Sequence, residues 1–221
     1  MIAAPIPLGE PEYWLEPVRN GSGVPVFFSL GANSDTYDGY PWQRFIIAID
    51  AHAQVYRVRW PSMMHRASGA RGIAEYDDVA NRARRGGELL GHYLTAAGAT
   101  GAVLVGESMG ALLVATAALY CADSCDAIRE LHTLGASFFN EEIWEQLGNA
   151  PIDGWWNYYS SSDSALQSLR LEGRGDVVGL NGLESRAPKI HNVDVTASVG
   201  SDHTAYSKFV TPSRPPAASI G

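Results

Sequence analysis

The sequence contains little cysteine, no long hydrophobic run and no strongly basic segment. Its two cysteines, Cys121 and Cys125, are too few for a disulfide framework, so we expect both to be reduced thiols. The longest apolar-rich stretch, from Ala111 to Ala122, is too short to span a lipid bilayer. These absences exclude a disulfide-rich scaffold and predict no transmembrane segment.

Basic residues are also in the minority, with 16 lysines and arginines against 24 acidic residues and a net charge of −8. A nucleic-acid-binding surface needs a basic patch, and the only cluster contains Arg82, Arg84 and Arg85. We therefore expect no nucleic-acid partner and no attraction to anionic membranes. The proline-interrupted start of the chain shows no secretory signal, which predicts a cytoplasmic location.

The length and composition fit one folded domain. A chain of 221 residues with 46% hydrophobic and 18% charged residues has ordinary globular composition. It shows neither an internal repeat nor a linker. We predict a single domain over residues 1–221, with residues 1–22 as an N-terminal extension and residues 211–221 as a flexible tail.

Segments with strand and helix patterns alternate along the chain. Apolar or alternating runs predict strands over residues 24–30, 54–60, 101–106, 128–134, 154–160 and 189–195. Helical apolar spacing or small-residue runs predict helices over residues 42–53, 73–97, 109–121, 138–150 and 165–172. This alternation predicts an α/β fold with a mostly parallel sheet, helices on both faces and chemistry at the carboxyl ends of the strands.

The turn after strand 101–106 carries the most informative motif, Gly106-Glu107-Ser108-Met109-Gly110. A G-x-S-x-G turn between an apolar strand and a small-residue helix lifts the serine hydroxyl clear of the backbone. Glycines on either side allow the chain to reverse closely, and the following helix directs its N–H groups at the reacting centre. The motif predicts that Ser108 is a nucleophile.

A nucleophilic serine needs a base and an acid, which follow it along the chain in this kind of fold. Asp163 comes just after strand 154–160, and His203 comes after strand 189–195. Both therefore belong to the same edge of the sheet as Ser108. We predict Asp163 as the acid and His203 as the base.

Other histidines and acids are less well placed. His191 lies within its strand and remains a weaker candidate for the base, whereas His65 precedes the nucleophile but could line the site. We interpret His52, His92 and His132 as structural or solvated. The less favourable acids are Asp123, Asp126, Asp153, Asp176 and Asp202. Glu107 is too constrained within the turn to be the acid, although it could form an ion pair nearby.

An acyl-transfer site also needs donors for the oxyanion that develops during the reaction. The backbone N–H of Met109 follows the nucleophile and supplies the first donor. The second normally comes from the loop after the first core strand, here Leu30-Gly31-Ala32-Asn33. We predict the N–H of Ala32 for this role, with a plain turn as the alternative.

Together, the G-x-S-x-G turn, the acid and the late histidine resemble the pattern of the α/β-hydrolase superfamily, and the resemblance covers nearly the whole chain. The phrases QVYRVRW, NYYSSSDSAL and HNVDV…GSDHTAY also resemble a less-studied branch, the DUF726-like hydrolases. The resemblance implies Ser108 as nucleophile, Asp163 as acid and His203 as base. It also implies a serine hydrolase that needs no cofactor.

The chain departs from the superfamily pattern in two places. Leu30-Gly31 replaces the usual His-Gly after the first core strand, although the donors are backbone groups and the oxyanion hole can survive. There is little room for two leading strands, since residues 12–20 could supply at most one. We therefore expect a compact α/β-hydrolase with about six mostly parallel strands and no large cap domain.

Two segments, residues 61–72 and 138–154, could act as a lid. Their apolar residues could form a pocket rim or could be ordinary packing. The rim candidates are Leu30, Met63, Met64, His65, Phe138, Phe139, Ile143 and Trp144. Scattered pairs of aspartate and histidine lack a third ligand, so we expect no metal.

The expected reaction is cleavage of a small-molecule or polymer ester through an acyl-enzyme. Acyl transfer, thioester cleavage and peptide cleavage would use the same residues and remain open. A non-catalytic binding protein on a hydrolase fold is the other alternative. The sequence does not predict the acyl chain length or the oligomeric state.

Overall fold

A computed structural model describes residues 4–34, 42–64, 69–122, 126–140, 144–171 and 175–213. Within these ranges the strands are β1 (Ile6–Pro7), β2 (Trp14–Arg19), β3 (Pro25–Ser29), β4 (Gln54–Arg59), β5 (Ala102–Glu107), β6 (Ile128–Leu134), β7 (Gly154–Tyr159) and β8 (Ile190–Asp194). The helices are α1 (Gln43–Ile49), α2 (Gly69–Ala96), α3 (Met109–Tyr120), α4 (Glu145–Asn149), α5 (Ser164–Leu171), α6 (Val178–Asn181), α7 (Thr196–Val199) and α8 (Tyr206–Phe209). From β3 onward each strand is followed by one or two helices, which agrees with the predicted alternation.

All described strands belong to one sheet of order β1-β2-β4-β3-β5-β6-β7-β8. The last six strands in this order pair in parallel, which confirms the predicted fold class. Strands β1 and β2 add an antiparallel edge next to β4. Residues 12–20 supply one leading strand, as expected, but a second precedes it, so the sheet has eight described strands where about six were expected. Strand β2 lies within residues 12–20, and β1 fits before it because it needs only two residues.

Two predicted helices are shorter in the structure than their sequence patterns. Helix α1 ends at Ile49 because Asp50 adopts an extended conformation, with ψ of 117°. The Asp50 carboxylate then accepts the N–H groups of Val24 at 2.9 Å and His52 at 2.7 Å. The helix predicted over 138–150 is reduced to α4, since Phe139 pairs with Val177 in an antiparallel bridge instead.

Each face of the sheet has its own helices and its own hydrophobic core. On one face, α2 and α3 pack over a core that includes Leu90 and Leu104. On the other face, residues of α1 and α8 pack with Phe28 and Val105. Neighbouring residues of β5 therefore point into opposite cores, as expected for a central parallel strand. No helix in the described part of the chain is long and apolar enough to cross a membrane.

Candidate active site

Ser108 occupies a sharp turn between β5 and α3, where the strand ends at Glu107 and the helix begins at Met109. Its backbone has φ of 54° and ψ of −122°, a conformation that residues with a side chain rarely adopt. Such strain persists only where the surrounding structure enforces it, and it concentrates at functional sites. The backbone at Ser108 therefore has the geometry that the G-x-S-x-G motif predicts.

Glycines allow three backbone segments to crowd around this serine. A Cβ atom at Gly106 would lie 2.5 Å from the carbonyl oxygen of Gly110, and a Cβ at Gly110 would lie 2.4 Å from that of Ser29. A Cβ at Gly31 would lie 2.7 Å from the Ser108 Cβ. Real Cβ atoms do not make contacts this short, so a larger residue would displace the turn or the loop after β3.

Asp163 lies just beyond β7 and is fully buried, yet donors face both of its carboxylate oxygens. Oδ1 accepts the backbone N–H groups of Ala165 and Leu166, each at 3.1 Å, and so caps the start of α5. Oδ2 accepts Nδ1–H of His203 at 2.7 Å and the hydroxyl of Tyr206 at 3.2 Å. The four bonds fix both the position and the orientation of the carboxylate.

His203 lies in the loop between α7 and α8, and this loop is tied to the one that carries Asp163. The hydroxyl of Ser160 donates to the Gly200 carbonyl at 2.7 Å. The backbone N–H and the hydroxyl of Ser164 both donate to the Ser201 carbonyl, at 3.2 and 2.9 Å. These contacts lie on both sides of Asp163 and just before His203, and they fix the two loops relative to each other.

The charge environment of His203 favours its protonated form. Burial alone would lower its pKa, but the hydrogen bond and the charge of Asp163 outweigh burial and raise the pKa above its usual value. Glu107 and Asp202 contribute in the same direction. With Nδ1 committed to Asp163, Nε2 is the nitrogen of His203 that is left to exchange a proton.

Ser108 and His203 line the same cavity of about 720 Å³. Its described lining residues are Leu30, Gly31, Ala32, Asn33, Ser34, Arg44, Glu107, Ser108, His203, Thr204, Ser207 and Lys208. The volume suits a small organic molecule. The nucleophile candidate and the base candidate thus face one space that a substrate can enter.

The loop after β3 forms one wall of the cavity and is fastened to the segment that follows β4. The N–H of Asn33 donates to the Ser62 carbonyl at 2.8 Å, and the buried guanidinium of Arg57 donates to the Ser34 carbonyl at 2.7 Å. Among the described residues, the N–H groups of Ala32 and Met109 have no protein acceptor. Two free donors therefore remain at the positions that the sequence predicts for an oxyanion hole.

The other predicted rim residues lie elsewhere. Phe138 is buried against Trp144 with ring centroids 5.0 Å apart, and Phe139 packs beside Tyr76 at 5.8 Å. Met63 is exposed, Met64 packs against the core, and neither is among the residues that line the cavity. His65 and Ile143 lie outside the described residues. Apolar character alone did not distinguish a pocket wall from ordinary packing.

Several residues of the cavity had no role in the sequence analysis. Arg44 and Lys208 come from α1 and α8, which pack against each other although they are far apart in sequence. Tyr206 gives Asp163 a further donor. A partial signal was available, because Tyr206 and Lys208 follow directly after the predicted base in the stretch DHTAYSK.

Glu107 is a second carboxyl group in the site, and it differs from Asp163. It lines the cavity and, among the described residues, forms neither a hydrogen bond nor the ion pair that the sequence allowed. Burial raises the pKa of Glu107 to about 7, although His203 lowers it and Asp163 raises it. Near neutral pH this carboxyl therefore exists in both protonation states.

The described residues contain no group of three or more histidine, cysteine, aspartate or glutamate side chains arranged to hold a metal ion. The Asp50 and His52 pair is occupied otherwise, since the Asp50 carboxylate accepts backbone N–H groups.

Residues 43–212 match the profile of a family described as "Protein of unknown function (DUF726)". The chain belongs to the DUF726 family. The match covers most of the chain and includes β4 to β8, Ser108, Asp163 and His203. No curated protein matches this DUF726 chain.

Several solved structures are similar to this chain at low sequence identity. A predicted CIB-like hydrolase from Thermoplasma acidophilum is 16% identical, with 92% of this chain and 89% of that chain covered and a TM-score of 0.50. The catalytic core of acetyl xylan esterase from Trichoderma reesei is 13% identical, with coverage of 83% and 91% and a TM-score of 0.47. Dienelactone hydrolase from Anabaena variabilis is 12% identical, with coverage of 87% and 84% and a TM-score of 0.46. At 16% identity and a TM-score of 0.50, the likeness to the Thermoplasma structure concerns the fold alone. Together with the parallel sheet and the serine turn after β5, it shows that this chain has the α/β-hydrolase fold.

Proposed function

We propose that this DUF726 chain is a serine hydrolase that cleaves carboxylic esters through an acyl-enzyme. One observation carries the proposal. His203 donates from Nδ1 to the buried Asp163 carboxylate at 2.7 Å while it shares a cavity with Ser108, whose backbone is strained. These observations support Ser108 as nucleophile, His203 as base and Asp163 as the acid that orients it, the set of groups that activates a serine.

In the acylation step, the Ser108 hydroxyl attacks the ester carbonyl, and Nε2 of His203 takes its proton. The resulting imidazolium is stabilised by Asp163, and it then gives the proton to the departing alcohol. The raised pKa of His203 suits this step because the protonated ring is an intermediate. A water molecule then attacks the acyl-enzyme in the same way, with His203 again taking and returning the proton. This step releases the carboxylic acid product and restores the Ser108 hydroxyl.

The oxyanion of each tetrahedral intermediate would be held by the N–H groups of Met109 and Ala32. Both are backbone donors. Their segments are held in place by short contacts at glycines and by hydrogen bonds. Each donor of this kind lowers a reaction barrier by roughly 3 kcal/mol. The replacement of the usual His-Gly by Leu30-Gly31 leaves these donors intact, because neither is a side chain.

A fluorophosphonate probe tests the proposal without a guess at the substrate. We expect mass spectrometry to find the label on Ser108 of the wild-type protein and to find none on Ser108→Ala. His203→Ala should label at least about a hundredfold more slowly, which is the contribution of a general base. Ser168→Ala is the matched control because this serine lies on the exposed side of α5.

Two results would contradict the proposal. A folded wild-type protein that stays unlabelled lacks an activated serine. A label that persists in Ser108→Ala places the reactive group elsewhere. If labelling occurs as expected, p-nitrophenyl esters of increasing acyl length then measure how much of the cavity an ester can use.

A further inference from the structure

The cavity contains two cations that the reaction does not use. Arg44 on α1 and Lys208 on α8 both line it, and both side chains belong to exposed residues. Among the described residues neither forms an ion pair. Most of the other arginines whose side chains the structure describes have acceptors within the protein, as Arg59 has with Glu16 at 2.6 Å and Arg85 has with Glu10 at 2.6 Å.

The charges in the cavity are separated by depth. Glu107 ends β5 beside Ser108, and its charge interacts with those of His203 and Asp163. Arg44 and Lys208 are exposed and therefore lie toward solvent. Asp202 is the nearest acid along the chain to Lys208. Hydrogen bonds from the hydroxyl and the N–H of Thr204, at 2.8 and 2.9 Å, lower the pKa of Asp202, and the charge of Lys208 lowers it further. The cavity is thus acidic near the nucleophile and basic at its outer end.

This gradient would orient an ester that carries a negative charge. A carboxylate or phosphate near Ser108 would meet Glu107, whereas at the outer end it would meet a guanidinium and an ammonium group. Arginine binds such anions with two parallel hydrogen bonds, and lysine adds a mobile point charge. A neutral ester carbonyl at Ser108 with the anion directed outward satisfies both ends of the cavity.

We propose that the site selects esters bearing a carboxylate or phosphate group, which Arg44 and Lys208 bind while the ester carbonyl lies at Ser108. This inference rests on the proposed esterase function and names the substrate class. It concerns a local property, because the chain as a whole has a net charge of −8 and would repel an anion at long range.

A pair of esters of equal length provides the kinetic test. Mono-p-nitrophenyl adipate carries a carboxylate at the end of its acyl chain, and p-nitrophenyl hexanoate carries a methyl group there. We expect kcat/KM to favour the adipate by about tenfold at low ionic strength, since each exposed ion pair contributes modestly. The preference should decrease when salt is added. A second pair, 4-carboxyphenyl and 4-carbamoylphenyl acetate, places the charge on the alcohol side.

Variants connect the preference to the two cations. Arg44→Gln and Lys208→Gln should each reduce the preference several-fold while hexanoate cleavage stays within about twofold, and the double variant should remove it. Arg170→Gln is the matched control, because it removes one positive charge from α5 on the surface, away from the cavity. Equal cleavage of charged and neutral esters in both pairs would overturn the inference and leave the esterase proposal intact.

A binding measurement keeps the inference testable without turnover. Monomethyl adipate and methyl hexanoate are titrated into Ser108→Ala, and chemical-shift changes are followed by NMR. We expect tighter binding of the charged ester and loss of that difference in Ser108→Ala/Arg44→Gln/Lys208→Gln. No difference between the two esters would overturn the inference whether or not the wild-type protein proves to be an esterase.

Discussion

The carboxyl ends of strands β5 and β7 each bring an acidic side chain to the candidate site, but the two side chains have different surroundings. At the end of β7, Asp163 is fully buried and accepts four hydrogen bonds. At the end of β5, Glu107 is half-buried and accepts none among the described residues, and burial raises its pKa to about 7. The difference shows that donors, rather than depth alone, decide whether a carboxylate can be accommodated beside a nucleophile.

The largest expected effect on activity comes from removing the negative charge of Asp163 at the end of β7. Asp163→Asn keeps the size of the side chain and an oxygen that can cap α5, but an amide cannot hold His203 in the tautomer that exposes a basic Nε2. We expect kcat for p-nitrophenyl acetate to fall by about 10⁴-fold. Thermal unfolding is measured alongside, and a folded variant that retains activity within tenfold of wild type would contradict the assigned role.

The matching substitution at the end of β5, Glu107→Gln, should act mainly on stability, and the size of its effect depends on pH. The folded-state pKa of Glu107 is raised, so ionisation costs stability as the pH rises from about 4.5 to about 7. Glu107→Gln should therefore unfold like wild type at pH 4 and be more stable at pH 8.5, by on the order of 2 kcal/mol. Urea unfolding at both pH values measures this. Equal stability at pH 8.5 would show that Glu107 is well solvated.

Glu107→Gln should also change the pH dependence of catalysis, which compares the effects of the two carboxyl groups on His203. Glu107 and Asp163 both raise the pKa of His203, but only Asp163 bonds to it. We expect Glu107→Gln to move the acidic limb of the kcat/KM profile to lower pH while the maximal rate changes little. An unchanged acidic limb would mean that Glu107 does not influence the base.

A smaller effect is expected from removing one of the four donors to Asp163. Tyr206→Phe deletes the hydroxyl at 3.2 Å from Oδ2 and leaves the buried ring in place. We expect a loss of about 1 kcal/mol in unfolding free energy and a kcat reduced a few-fold. Tyr206→Leu, which also removes ring packing, should cost more stability, and a Phe variant as active and stable as wild type would show that three donors suffice.

The order of elements was predictable because it follows from local patterns. The strand predicted over 128–134 has the same bounds in the structure, and the candidate residues Ser108, Asp163 and His203 each follow a strand as predicted. Parallel strands bring their carboxyl ends to one edge, so chain order alone indicated their proximity. The end of α1 was not predictable, because the carboxylate of Asp50 reaches a backbone group that precedes β3.

The wall of the cavity was harder to predict than its centre. Phe138 and Phe139 have the composition of a pocket rim, but their burial depends on aromatic neighbours on other elements. Arg44 and Lys208 have the composition of ordinary surface residues, and only the packing of α1 beside α8 brings them to one cavity. Side chains that meet through tertiary packing leave no periodic pattern in the sequence.

The hydrogen bonds from Ser160 and Ser164 to residues 200 and 201 also bear on how the site moves. They join the loops of Asp163 and His203 into one unit, whereas Ser108 lies in the turn that follows the central strand β5. Thermal motion that displaces the loop after β8 would therefore carry His203 and Asp163 together and change their distance from the serine as a pair. Evolution could adjust the site in the same way, by tilting one pre-assembled unit against a fixed nucleophile.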